Sequence, residues 1–186
     1  MKFVASFSGG KDSYLSIYRM IQEGNELVGL IVSTKENGDS WTHNLDSGYF
    51  EDIAKKFNCK VYFTNTNVEN YEKNFEKALI ETKKIGSTAC VFGDIDNELH
   101  LNWNRDRCKN AGIECIMPLM NQKREDVVED FLKLGIKAVV VKIDESKLDK
   151  SFLGRIFDKC FIEDIKRIKK IDLCGENGEY HTKIIL

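Results

Sequence analysis

A single proline, Pro118, stands among 186 residues. Proline fixes φ and removes a backbone donor, so it is the firmest local stop that a chain possesses. With only one, most element ends must come from glycine and polar turns, and Pro118 marks the boundary between a longer unit, residues 1–117, and a shorter one, residues 118–186. Paired cysteines are lacking as well. Cys59, Cys90, Cys108, Cys115, Cys160 and Cys174 are scattered, and no two of them form Cys-x-x-Cys; the sequence therefore supports no zinc or iron–sulfur site, and the six are read as reduced, mostly buried thiols. No run of 18 apolar residues occurs, and no opening stretch combines basic residues, an apolar segment and a small-residue cleavage site, so the expectation is a cytoplasmic protein without a membrane partner. Nor does charge of one sign prevail. The 28 Lys and Arg against 30 Asp and Glu leave a net charge of -2, which argues against broad contact with nucleic acid.

Against that plain background, Ser8-Gly9-Gly10-Lys11-Asp12-Ser13 is dense in groups that hold phosphate. It follows the apolar run Lys2–Phe7, which reads as a buried strand, and precedes a helical spacing from Tyr14 to Ile21. A strand-to-helix turn with adjacent glycines lets backbone N–H groups approach an anion, and the helix start aims unpaired N–H groups at the same place. Lys11 adds a charge, Ser8 and Ser13 add hydroxyls, and Asp12 either caps the helix or helps to hold magnesium beside phosphate oxygens. The spacing is not that of GxxxxGK[ST], because the glycines are adjacent.

Strand and helix patterns then alternate. Glu26–Ser33, Lys60–Thr64, Ser87–Ile95 and Glu114–Met117 read as strands; stretches near Leu45–Phe57, Tyr71–Ile80 and Asn97–Gly112 read as helices. That order predicts an α/β fold with a parallel, doubly wound sheet, with ligands outside the carboxyl ends of the strands. Ser33 and the loop after it are then candidate neighbours of adenine or ribose, or else an ordinary solvent loop; Gly93 and Asp94 end the fourth strand where a nucleotide sugar or a metal would be met. His43 either faces the same crevice or caps the next helix. The polar helix carrying His100, Trp103 and Asn104 reads as a surface helix that buries Leu101 and Trp103. Beyond Pro118 follow a helix near Arg124–Leu134, a strand at Ala138–Ile143 and a charged helix with Phe161, Ile162 and Ile165 inward, which make a smaller C-terminal α/β unit.

A second constellation, Gly175-Glu176-Asn177-Gly178-Glu179-Tyr180-His181-Thr182, lies near the far end. Its glycines allow a tight turn that would bring Glu176, Glu179 and His181 onto one surface, where carboxylates and an imidazole orient an amine, accept its proton or hold magnesium. The bland reading is a polar turn joining two terminal strands.

SGGKDS, the histidine before the second helix, Gly93-Asp94-Ile95, Leu153-Gly154-Arg155 and GENGEYHT come in the order of the diphthine–ammonia ligase family, and the chain resembles that family over nearly its whole length. The family lies within the N-type ATP pyrophosphatases, and the Gly-Asp-Ile version looks most like its bacterial branch. The resemblance implies a HUP-like (adenine nucleotide α-hydrolase-like) ATP-binding domain at residues 1–117 and a substrate-binding unit at 118–186. It implies that Ser8, Gly9, Gly10, Lys11, Asp12 and Ser13 hold ATP with Ser33, Gly93 and Asp94 nearby, and that Asp12 helps to hold Mg2+. Lys11, Asp12, Glu176, Glu179 and His181 take catalytic roles by the same resemblance, and His43, Asn177 and Thr182 face the substrate. The implied reaction adenylates a carboxylate, releases pyrophosphate and displaces AMP with ammonia, which yields the amide of diphthamide on a translation elongation factor. Ammonia is expected from solution, since Met1-Lys2 offers no N-terminal cysteine. The alternatives are another small-molecule carboxylate, an RNA-modifying enzyme with the same loop, or a nucleotide sensor without turnover. A homo-oligomer is compatible with all of these.

Overall fold

Phe3, Val4 and Ala5 are each at most 1% exposed, so the first strand is covered on both faces, as a continuous apolar run in a parallel sheet requires. The computed structural model describes residues 1–35, 38–40, 45–67 and 69–185. Along the first unit run β1 (Lys2–Ser6), α1 (Lys11–Gln22), β2 (Glu26–Thr34), α2 (Ser47–Phe57), β3 (Lys60–Asn65), α3 (Tyr71–Lys83), β4 (Ala89–Val91), α4 (Glu98–Ala111) and β5 (Glu114–Ile116). The five strands form a parallel sheet in the order β3-β2-β1-β4-β5, in register at Phe3↔Leu27 and Phe3↔Ala89 on either side of β1. The doubly wound α/β architecture read from the alternation is thus the observed one.

The fourth strand is shorter than its apolar run, because the chain leaves the sheet after Phe92, whose N–H makes a last bond to the Ile116 carbonyl at 3.0 Å. Helix α2 begins after Asp46, whose side chain accepts from the Tyr49 N–H.

Beyond Pro118 come α5 (Arg124–Lys133), β6 (Lys137–Ile143), α6 (Lys159–Arg167) and β7 (Tyr180–Ile185). Strands β6 and β7 pair antiparallel as a separate two-stranded sheet. The 173–179 loop therefore does not join two terminal strands. It follows α6, and the strand after it returns to β6, because the buried positions Ala138 and Val140 need a partner strand and a covering layer.

Two apolar clusters lie on the two faces of the main sheet. Phe75, Leu79, Phe92 and Cys108 pack under α3 and α4. On the other face, Phe7, Leu15 and Phe50 run without a break into Phe131, Phe157, Phe161 and Tyr180, so the second unit shares a core with the first. Arg19 strengthens that junction: it donates to the Pro118 carbonyl at 3.0 Å and pairs with Asp130 at 2.6 Å. Among the described residues, no helix is long and apolar enough to cross a membrane.

Candidate functional site

In the order β3-β2-β1-β4-β5 the winding reverses between β1 and β4, and a doubly wound sheet opens a crevice at the carboxyl ends on either side of such a reversal. The turn after β1 is Ser8–Ser13, and the turn after β4 carries Gly93 and Asp94. Topology thus brings together two pieces that lie eighty residues apart in the chain. Gly93 fits so closely that an added Cβ would lie 2.7 Å from the Ser13 nitrogen and 2.8 Å from the Asp12 carbonyl carbon. Gly9 has φ +91°, and a Cβ there would meet Leu45 at 2.7 Å. Gly10 is the N-cap of α1 and supplies no side-chain cap, and a helix start without one offers amides to an anion. Ser13 Oγ donates to the Gly10 carbonyl at 3.0 Å, and Ser8 Oγ accepts from the Gly10 N–H at 3.3 Å, which holds both hydroxyls on the turn. Gly93→Ala is expected to cost about 1–3 kcal/mol, because its methyl has to displace backbone rather than a flexible side-chain end. A urea denaturation midpoint equal to wild type would contradict that close approach.

The second constellation closes over this turn. The Lys11 N–H donates to Thr182 Oγ1 at 3.1 Å across 171 residues of sequence, and the Ile184 N–H donates to the Gly9 carbonyl at 3.0 Å. Tyr49 Oη lies 3.1 Å from the carbonyls of both Gly9 and Ile184. Lys11, read from sequence as a phosphate cation, has its side chain 4% exposed. Its ammonium donates to the Cys174 carbonyl at 2.5 Å and to Asp12 at 2.7 Å, and it lies over the rings of Phe157 and Tyr180 at 5.3 and 5.4 Å. The lysine therefore ties the first loop to the last one.

Between the two loops lies a cavity of about 800 Å³. Ser8, Gly10, Lys11, Asp12 and Ser13 line one side, with Gly93 and Asp94 beside them. Glu176, Asn177, His181 and Thr182 line the other. Glu176 Oε2 accepts from the Ile95 N–H at 3.4 Å. Burial pushes its carboxyl up to about 7; Asp12 and Asp94 add to that shift, and Lys11 offsets part of it. Burial, with Lys142 and Lys11 nearby, lowers His181 to about 4, so its imidazole is neutral at pH 7. Asp12 is raised by burial against the pull of Lys11.

Glu179 is not brought to the surface that Glu176 and His181 share. It is 1% exposed, and it accepts from the N–H groups of Asp172 at 3.2 Å and Asn177 at 3.1 Å. A loop this tight has backbone donors without backbone acceptors, and the Glu179 carboxylate satisfies two of them. Gly9 and Ser33 also lie off the cavity lining; the Ser33 hydroxyl is 3.3 Å from that of Thr64 and bonds to Tyr71, which does line it. His43 lies outside the described residues.

Helix α4, read from sequence as a surface element, contributes His100, Trp103 and Asn104 to the cavity wall. His100 and Asn104 stand four apart and so share a helix face, and both reach Asp94, at 3.1 and 2.8 Å. That spacing was the available signal for them.

Residues 1–115 match the family model of the diphthamide synthase N-terminal domain, and residues 123–186 match that of the diphthamide synthase C-terminal domain. The chain is 22% identical over 209 residues to the diphthine–ammonia ligase of Rattus norvegicus, a match that covers 98% of this chain and 78% of that protein. With the diphthine–ammonia ligase of Schizosaccharomyces pombe it is 22% identical over 210 residues, covering 100% of this chain and 34% of that protein. A tRNA-specific 2-thiouridylase of Aliarcobacter butzleri is 29% identical over 87 residues, which cover 47% of this chain and 25% of that protein. The two family matches include both loops that enclose the cavity, and the chain belongs to the diphthamide synthase family.

Proposed function

We propose that the protein is an ATP-dependent amide ligase that adenylates a carboxylate, releases pyrophosphate and amidates the carboxyl with ammonia, as the names of its diphthine–ammonia ligase relatives suggest. The observation that carries this reading is the joint cavity: SGGKDS and GENGEYHT, at opposite ends of the chain, face one another across it and are stitched by the Lys11 and Thr182 contacts.

ATP binds with its phosphates against the first-turn amides of α1 that follow Lys11, whose own N–H goes to Thr182, and against the Ser8 and Ser13 hydroxyls. A substrate carboxylate oxygen attacks the α-phosphorus, and the bond to pyrophosphate breaks. Charge grows on the leaving pyrophosphate, and the amides of a rigid turn stabilise it without reorganising. Asp12 fits a share in holding magnesium, since its Oδ1 is buried without a hydrogen-bond partner among the described residues, and a carboxylate oxygen beside phosphates is what that ion takes. Bound there, magnesium supplies neutralisation of phosphate charge. Ammonia then attacks the acyl-adenylate, and AMP leaves. Glu176, poised near neutrality, accepts a proton from the attacking nitrogen; neutral His181, Asn177 and Thr182 orient the substrate from the same side. Glu179 holds the loop that carries them, and Lys11 fixes that loop to the phosphate turn.

Incubation with MgATP, ammonium and a translation elongation factor carrying diphthine should yield AMP, pyrophosphate and the amide. ADP and phosphate as products would refute adenylation. The partial match to a tRNA thiouridylase favours a second reading, RNA modification, which unmodified tRNA in place of the protein substrate would reveal as RNA-dependent AMP. A panel of small carboxylates in the same assay covers the third acceptor class.

A further inference from the structure

Helix α4 opens against the cavity, and its side chains have no part in the roles assigned so far. Asn104 is 4% exposed, and its Nδ2 donates to Asp94 Oδ2 at 2.8 Å. The other oxygen of Asp94 lies 3.1 Å from His100 Nδ1. A buried amide thus holds a carboxylate, and the carboxylate fixes one nitrogen of an imidazole. With Nδ1 turned to Asp94, Nε2 is the nitrogen left for the cavity, which His100 lines together with Asp12 and Glu176. A base oriented by a third group in this way is a recurring arrangement for proton transfer on unrelated folds.

We propose that His100, oriented by Asp94, accepts through Nε2 the proton that ammonium must lose before it attacks the acyl-adenylate. This role rests on the ligase reading above. Ammonia near neutral pH is largely ammonium, which has no lone pair, so amidation that starts from ammonium releases two protons. His100 Nε2 takes the first. The freed nitrogen pair forms the C–N bond, and the carbonyl π pair moves onto oxygen. The adduct nitrogen gives the second proton to the Glu176 carboxylate; the oxygen pair then re-forms the carbonyl, and the C–O bond to AMP breaks with its electrons leaving on the phosphate oxygen.

Among the described residues, the charged groups that face His100 are Asp94, from the end of β4, and Glu176, from the loop before β7. The hydrogen bond to Asp94 raises the imidazole above 6.5 against partial burial, and Glu176 adds to the rise. Its side chain is 61% exposed, so the imidazolium passes its proton on to water between turnovers.

Two half reactions separate the possibilities: pyrophosphate exchange into ATP, dependent on an elongation factor carrying diphthine and run without ammonium, and amide formation with ammonium. His100→Ala and His100→Gln should retain exchange and lose amide formation about 100-fold or more. Glutamine keeps a hydrogen-bonding group for Asp94 but takes no proton, so its failure to rescue separates proton transfer from positioning. Hydroxylamine, largely uncharged at neutral pH, should react almost as well with either variant as with wild type. Amide formation from ammonium that survives either substitution, or equal loss with hydroxylamine, overturns the role. Wild-type protein that shows no exchange with diphthine or with small carboxylates overturns the ligase reading instead, and the role of His100 falls with it.

Discussion

Glu176→Gln should lower amide formation by about 100-fold to 10,000-fold, the span usual for loss of a general base, with little change in fold because the side chains are isosteric. In wild type, kcat/KM should rise with pH through about 7, since the carboxyl must be ionised to accept a proton and its folded pKa is about 7 against 4.5 in the unfolded chain. Stability moves the other way. The folded state holds this proton to higher pH than the unfolded state, so the Glu176 contribution falls as pH rises from 4.5 towards 7 and stays low above it. The glutamine variant lacks both effects, and at pH 8 its denaturation midpoint should exceed that of wild type. A rate within a few-fold of wild type across this range would remove Glu176 from the chemistry.

Lys11→Met should destabilise the protein by about 3–5 kcal/mol, the usual cost of removing one member of a buried ion pair. Methionine matches the length of the stem but leaves Asp12 without its cation and the Cys174 carbonyl without its donor. Lys11→Arg should not restore stability: a planar guanidinium does not replace a compact ammonium between the Phe157 and Tyr180 rings. In the double variant Lys11→Met/Asp12→Asn the loss should be smaller than the sum of the two single losses, because the double variant, unlike either single one, leaves no lone charge. Chemical denaturation of the four proteins measures this coupling, and strict additivity would mean that the pair does not act as a unit. Since Lys11 also lowers Glu176, its removal should shift the pH dependence of turnover to higher pH.

Much of the fold was legible from local pattern. The apolar run Lys2–Phe7, the glycine turn and the helical spacing after it are decided within about twenty residues, and alternation of such units dictates a parallel sheet with ligands at its carboxyl ends. Glu176 and Glu179 were not distinguishable in that way. Both are glutamates in one short loop, yet one faces the cavity and the other satisfies the amides of Asp172 and Asn177, because the loop folds around the second. His100 and Asn104 lay hidden for a different reason. Helix α4 is polar on most sides, so its sequence does not say which face turns inward.

The sequence alone determined the chemistry on offer: an anion-binding turn, a carboxylate-rich loop far from it, and strands able to hold both at one end of a sheet. Tertiary structure decided how those groups are used. The reversal between β1 and β4 placed Asp94 beside the turn, and the return of β7 placed the Cys174 carbonyl against Lys11, which converted a free cation into a link between loops. A lysine buried beside a carbonyl and a carboxylate is held to those partners, since its donors are directed and desolvation favours them.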